Sequence, residues 1–419
     1  MLGKLIRNVF ARQATRTVYV ADALRSYMAG DHDAAALLGE QQLTTEPDDV
    51  DALCVLALCH EARGERAMSR DLWTKIRQLE PANSEAVCAL GEPARATGLT
   101  RCPGEAAEAF DRRLRVACEM VCFWAQHDRF WRHRVAREPR IAVPVWDGGP
   151  VAGKRILLHS MRGFGDTINF ARFAAELAKR GATVRLECAR PLHRLLARCS
   201  GIAEVVETGA PDAARKCDLH APLVVLLKHF FFASLASSQG AYLTAHGDSV
   251  RAWEEKFSGA SRLRVGLCWA GDPANKNDAR RSVALATLAP LLNVRDVFWV
   301  SLQKGLASRQ VAQFAGCDIH DWTGQLGDFA DTAGLITQLD LVISVNTAVA
   351  HLAGALGRPV WILYSGDEDR RWEVVGDPRH LYPQARLFRQ SVRGDWRDPL
   401  AAASGALNGE IEKHSRAAS

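Results

Sequence analysis

From Asp340 to Leu363 the chain reads Asp-Leu-Val-Ile-Ser-Val-Asn-Thr-Ala-Val-Ala-His-Leu-Ala-Gly-Ala-Leu-Gly-Arg-Pro-Val-Trp-Ile-Leu. Few folds accommodate that order of residue types. Leu341-Val-Ile-Ser344 is a short, unbroken apolar run, the kind a strand shows when both faces of a parallel sheet are covered. Asn346 and Thr347 are cap-type residues, and a helix of small side chains follows to about Leu356. Gly357 stops it, and Pro359 stands where no helix could continue. Val360-Trp-Ile-Leu363 is the next strand. A strand-to-helix turn of this kind aims unpaired backbone N–H groups and a positive dipole end at its ligand, which suits an anion. The same pattern equally describes one more βαβ unit of a scaffold, and the rest of the chain has to decide.

Strand and helix patterns alternate from Lys154 onward. Arg155-Ile-Leu-Leu-His159 reads as a strand, Gly163-Phe-Gly165 as a turn, and Asp166 to Arg180 as a helix ended by Gly181. Thr183-Val-Arg-Leu-Glu187 is the next strand, and a weaker unit lies around Val205 and Leu219. A helix near Ser249–Phe257 leads out of this series. A second series opens at Leu263-Arg-Val-Gly-Leu-Cys-Trp269 and continues through Val297-Phe-Trp-Val-Ser301, the stretch above, and Arg386-Leu-Phe388. Alternation of this kind means parallel sheets covered on both faces. The expected fold class is α/β: two Rossmann-like domains, residues 154–258 and 259–419, facing a cleft across their strand C-terminal ends.

An all-α domain is expected before them. Thr45-Glu-Pro47-Asp-Asp-Val-Asp-Ala-Leu53 recurs loosely as Leu79-Glu-Pro81-Ala-Asn-Ser-Glu-Ala-Val87, with the prolines 34 positions apart. That is the tetratricopeptide period, and Gly30, Gly64 and Gly98 keep it as interhelical turns. Two repeats and a degenerating third are expected, with helical sequence from Glu105 to about Arg137 closing the stack. Residues 1–138 are therefore assigned to a tetratricopeptide-like domain. Residues 139–153, rich in Pro, Gly and Val, are assigned to a linker.

Composition limits the function classes. The formal charge of +5 is spread among 48 acidic residues, too diffuse for a nucleic-acid surface. The eleven cysteines form no C-x-x-C pair, which points to reduced, buried thiols in a cytoplasmic protein. The apolar run Leu223–Ala233 is interrupted by Lys228 and His229 and is too short to span a bilayer, so no transmembrane segment is expected.

Gly163-Phe-Gly165-Asp166 lacks the third glycine of a dinucleotide fingerprint, which weakens a nicotinamide reading. It does put Asp166 at a helix start, as a cap or as a general base. The loop Trp269–Ser282 gathers Lys276, Arg280, Arg281 and Ser282 after a strand, either as a solvated connection or as a metal-free clamp for a diphosphate. Gln303 and Lys304 also leave a strand end toward the crevice. Asp367-Glu-Asp369 imitates a metal motif, but acids in a loop are common and no metal site is assigned.

These pieces, from Trp146-Asp-Gly148 through Gly163-Phe-Gly-Asp-Thr-Ile168, Asn277-Asp278, Arg281-Ser282, Ser301-Leu-Gln-Lys-Gly305, Asp328-Phe-Ala-Asp-Thr-Ala333, Ala350-His-Leu-Ala-Gly354 and Tyr382-Pro383, occur in the order and spacing of a known family. The chain resembles the heptosyltransferase-type (family 9) glycosyltransferases, specifically bacterial proteins that fuse tetratricopeptide repeats to such a domain. The resemblance implies a GT-B fold and metal-independent, inverting transfer of a sugar from a nucleotide-diphosphate donor, with no cofactor. It implies a base at Asp166, with Gly163, Gly165 and Asn169 lining the acceptor cleft. Lys276, Arg281, Ser282, Gln303, Lys304, Asn346, Thr347, Ala348 and His351 would hold the donor. The acceptor would be a protein or a glycan, which the repeats could present. Where family members carry Asp, His and Glu-Gln, this chain has Asn346, Asn275 and Met161-Arg162. Those departures keep a second reading open: a catalytically impaired interaction scaffold.

Overall fold

The computed structural model describes residues 19–27, 29–81, 83–91, 107–108, 114, 141, 143–160, 163–227, 229–230, 240–259, 261–275, 278–314, 318–366, 370–372 and 378–418. The chain forms two compact units, residues 1–149 with 218–232 and residues 150–217 with 233–419.

In the first unit, helices His32–Thr45 (α1), Val50–Ala62 (α2), Arg66–Leu79 (α3) and Ser84–Ala89 (α4) follow one another, each packed on the next. The 34-residue period has a physical basis here. Gly30 and Gly64 turn between helices at φ of 85° and 77°, a left-handed conformation that favours glycine. Asp49 and Asn83, also one period apart, are the N-caps of α2 and α4, accepting from the Ala52 and Ala86 N–H groups. Trp73 and Ile76 of α3 are buried against Leu53 and Ala57 of α2, as packing residues of a repeat should be. In the third repeat α4 stops after six residues and Gly91 turns at φ 91°. Gly98 and nearly all of the Glu105–Arg137 helix fall outside the described residues.

The expected linker is not a bare connection. Val145 makes a parallel bridge to His220, and the Trp146 N–H donates to the His220 carbonyl at 2.8 Å. Trp146 is 2% exposed, with its ring against His229 and Phe230. Pro and Gly punctuate this stretch, but one large aromatic fixes it. Its partners lie in 218–230, a segment that alternation alone assigned to the first Rossmann-like domain.

The second unit holds two parallel sheets. In the first, Arg155–His159 (β1), Thr183–Cys188 (β2) and Ile202–Glu207 (β3) lie in the order β3-β2-β1. Phe164–Ala171 (α5) and Ala174–Lys179 (α6) make the first crossover. The strand Leu219–Pro222 of the first unit is β4 in chain order. The second sheet contains Leu263–Cys268 (β5), Val297–Ser301 (β6), Ile319–His320 (β7), Leu341–Val345 (β8), Val360–Tyr364 (β9) and Ala385–Arg389 (β10) in the order β10-β9-β8-β5-β6-β7. Both β8 and β9 are buried along their whole length, as unbroken apolar runs require. The helices Gly247–Glu254 (α7), Phe329–Thr337 (α8), Ala348–Ala355 (α9) and Arg397–Ala418 (α10) belong to the same unit. Strand order reverses direction beside β5 and β8, so their C-terminal ends open the crevice where α/β sheets bind ligands.

Candidate functional site

Gly163 precedes α5 as its N-cap and offers no side chain, leaving Asp166 in the exposed first turn. The Asp166 side chain keeps 36% of its surface exposed, and its Oδ1 accepts from Arg371 Nη2 at 2.7 Å. Among the described residues, no hydrogen bond reaches Oδ2. Arg371 is 8% exposed, and its guanidinium lies 5.0 Å from the Phe170 ring centre one turn along α5. The helices α5 and α9 meet at Gly165. A methyl group there would stand 2.9 Å from His351 Cδ2 and 3.4 Å from Ala348 Cα. Glycine thus lets the Asp166 turn sit against the first residue of α9.

The turn before α9 is built from buried polar groups. Thr347 is the N-cap, yet its hydroxyl makes no capping bond. It pairs instead with Ser344 Oγ at 2.9 Å, close to Cys268 Sγ. The opening N–H groups of α9 are therefore left uncapped by that side chain. Asn346 is held at both ends: Oδ1 accepts from the Trp372 indole at 3.0 Å, and its carbonyl accepts from Arg281 Nη1 at 3.0 Å. Arg281 also donates to Asp278, which accepts from Ser282 Oγ, whose own oxygen accepts the Gly271 N–H. This small network fixes the loop after β5.

His351 is 2% exposed, stacked on Trp372 with ring centres 4.8 Å apart. Its Nδ1 lies 3.0 Å from the Tyr382 hydroxyl, which also accepts from Asn169 Nδ2 at 2.8 Å. Arg172 lies between the Tyr242 and Tyr382 rings and donates to the Leu381 carbonyl. Burial pushes the Tyr242 hydroxyl well above the ordinary tyrosine range, so it stays protonated and donates to the Ile168 carbonyl.

The structure thus brings Asp166, Asn169, Arg281, Asn346, Thr347, Ala348 and His351 into one neighbourhood. Gln303 and Lys304 bond to the backbone around them. The Gln303 amide accepts from the Trp269 and Ala270 N–H groups and donates to the Ala270 and Lys304 carbonyls, tying the ends of β5 and β6 together. The Lys304 ammonium donates to the Thr323 and Leu326 carbonyls. Lys276, Met161, Arg162 and Asp367–Asp369 lie outside the described residues. Sequence reasoning passed over Arg371, Trp372 and Arg172, and did not assign Tyr382 a role. Arg371 and Trp372 follow β9, so scanning every strand end of the second sheet, as was done for β5 and β6, would have found them.

Comparison with known proteins matches residues 309–382 to the model of Glycosyltransferase family 9 (heptosyltransferase). Protein FlbA of Caulobacter vibrioides is 25% identical over 310 residues, 68% of this chain and 52% of that protein. The chain therefore spans about half the length of this curated relative. Two solved structures align at low identity. The family 9 glycosyl transferase of Veillonella parvula has TM-score 0.45 and 14% identity, covering 63% of this chain and 98% of that one. The ADP-heptose lps heptosyltransferase II of E. coli has TM-score 0.45 and 16% identity, covering 62% and 99%. Residues 309–382, which run through β8, the turn at Thr347 and α9, match the family 9 glycosyltransferase model and lie in the second of two parallel sheets.

Proposed function

We propose that the chain transfers a sugar from a nucleotide-diphosphate donor to a hydroxyl of a protein or glycan acceptor, with inversion at the anomeric carbon. The observation that carries the reading is the crossing of α5 and α9 at Gly165, which sets the Asp166 carboxylate beside an uncapped helix start. An anionic leaving group suits that start, because N–H groups and the dipole both favour negative charge. The acceptor hydroxyl would lose its proton to Asp166 as its oxygen attacks the sugar carbon. The bond to the diphosphate breaks on the opposite side, and the leaving charge falls among the α9 N–H groups and nearby guanidinium groups, with no metal in the step. His351 and Asn169 belong to the wall of the site. The first unit would present the acceptor through its repeats.

Titration calorimetry with a panel of nucleotide sugars tests donor binding. Asp166→Asn tests the base: with donor binding retained, turnover should fall by on the order of 100-fold or more. Turnover equal to the parent would remove Asp166 from that role. Silence across the whole panel would favour the scaffold reading, which the self-satisfied Gln303 and Lys304 make a definite alternative.

A further inference from the structure

The cations at the strand ends of the second sheet are not equivalent. Arg281 is committed to Asp278 and the Asn346 carbonyl, and Lys304 to two backbone carbonyls. Arg371 is different, because it donates to the carboxylate that the transfer reaction would use as base. The backbone at this point is anchored. Trp372 is buried and donates to Asn346, the residue before the α9 cap. Arg371 therefore directly precedes a residue bonded to the anion-suited turn, while its own side chain reaches Asp166. We propose that Arg371 serves two partners in turn: Asp166 while the site is empty, and the diphosphate of the donor once it is bound. The inference rests on the transferase reading and adds a residue and an order of events to it.

The chemistry favours such an exchange. A guanidinium offers paired N–H donors that fit a carboxylate and a phosphate equally well. Nearly buried, it needs an anionic partner in either state. A diphosphate carries more negative charge than one carboxylate and draws the cation more strongly at equal distance. When Arg371 turns to the phosphate, Asp166 Oδ1 loses its N–H partner and both carboxylate oxygens can face the acceptor hydroxyl. In the transfer step the acceptor O–H proton passes to Asp166 and the acceptor oxygen bonds to the anomeric carbon. The carbon–oxygen bond to the diphosphate breaks with its electron pair, and Arg371 meets the charge that leaves.

A double-mutant cycle on the full chain tests this, with inorganic pyrophosphate, ADP and UDP as calorimetric probes. Arg371→Ala should weaken pyrophosphate binding by roughly tenfold or more, the scale of a charge-assisted hydrogen bond. Asp166→Asn should tighten it by roughly threefold to tenfold, because Arg371 is no longer shared. That gain should vanish in the Arg371→Ala background. A gain that persists there would reflect simple removal of a negative charge and would overturn the exchange, as would an unchanged affinity in either single variant. Arg371→Lys, which keeps the charge but not the fork, should fall between parent and Arg371→Ala, and it replaces the latter if circular dichroism shows Arg371→Ala unfolded. A parent chain that binds none of the three probes would instead sink the transferase reading, and the exchange with it.

Discussion

Tyr382 occupies the most connected position in the site. Its hydroxyl accepts from Asn169 of α5 and lies on Nδ1 of His351 of α9, while its ring covers Arg172. Tyr382→Phe keeps the ring but leaves the Asn169 donor and the histidine nitrogen buried without that partner. We expect a loss of about 1–3 kcal/mol in unfolding free energy. Urea denaturation measures it, and a change under a few tenths would mean the hydroxyl is not needed. Asn346 teaches the opposite lesson. As a departure from the family's aspartate it reads in sequence as a group that keeps the hydrogen-bonding shape and loses a charge. In the fold its Oδ1 accepts the Trp372 N–H, a bond that needs no charge. Residue identity told what Asn346 lacks, but not that a tryptophan 26 positions away would claim its oxygen.

Elements were the most legible scale. The unbroken apolar runs of β8 and β9, with Gly357 and Pro359 between α9 and β9, have only one reading, and that reading holds. The contacts between elements were not legible, because they depend on which helix faces which across long sequence separations. In sequence Gly163-Phe-Gly165 reads as a turn and no more. Gly165 does not adopt a positive φ, and its role is close approach to α9. Gly165→Ala should therefore push α5 and α9 apart, costing about 1–3 kcal/mol by overpacking. Gly354→Ala should cost at least as much, since the new methyl would run into the Tyr382 ring. Thermal melts of the two variants check both. A parent-like melting temperature for Gly165→Ala would show that the crossing is slack and that His351 can yield.

For the whole molecule, composition suggests a boundary at residues 139–153, and the structure shows what that stretch touches. Residues 139–153 carry the Pro and Gly of a boundary, yet Trp146 inside them is buried on His229 and Phe230, and Val145 bridges to His220. A lone tryptophan has no periodicity, and nothing local marks its partners some eighty residues later. Burial of this kind is worth about 3–5 kcal/mol by truncation to alanine, so Trp146→Ala should lower the unfolding free energy of the full chain by that order. Two shortened chains sharpen the point. One that begins at residue 139 keeps Trp146 and the Val145 bridge. One that begins at residue 154 deletes them and leaves Phe230, buried beside Trp146 in the full chain, without that cover. The shorter chain should melt at lower temperature and bind a hydrophobic dye that the longer one excludes. Matching melting temperatures and dye binding would mean that the strap around Trp146 contributes nothing, and that the boundary read from composition was the physical one.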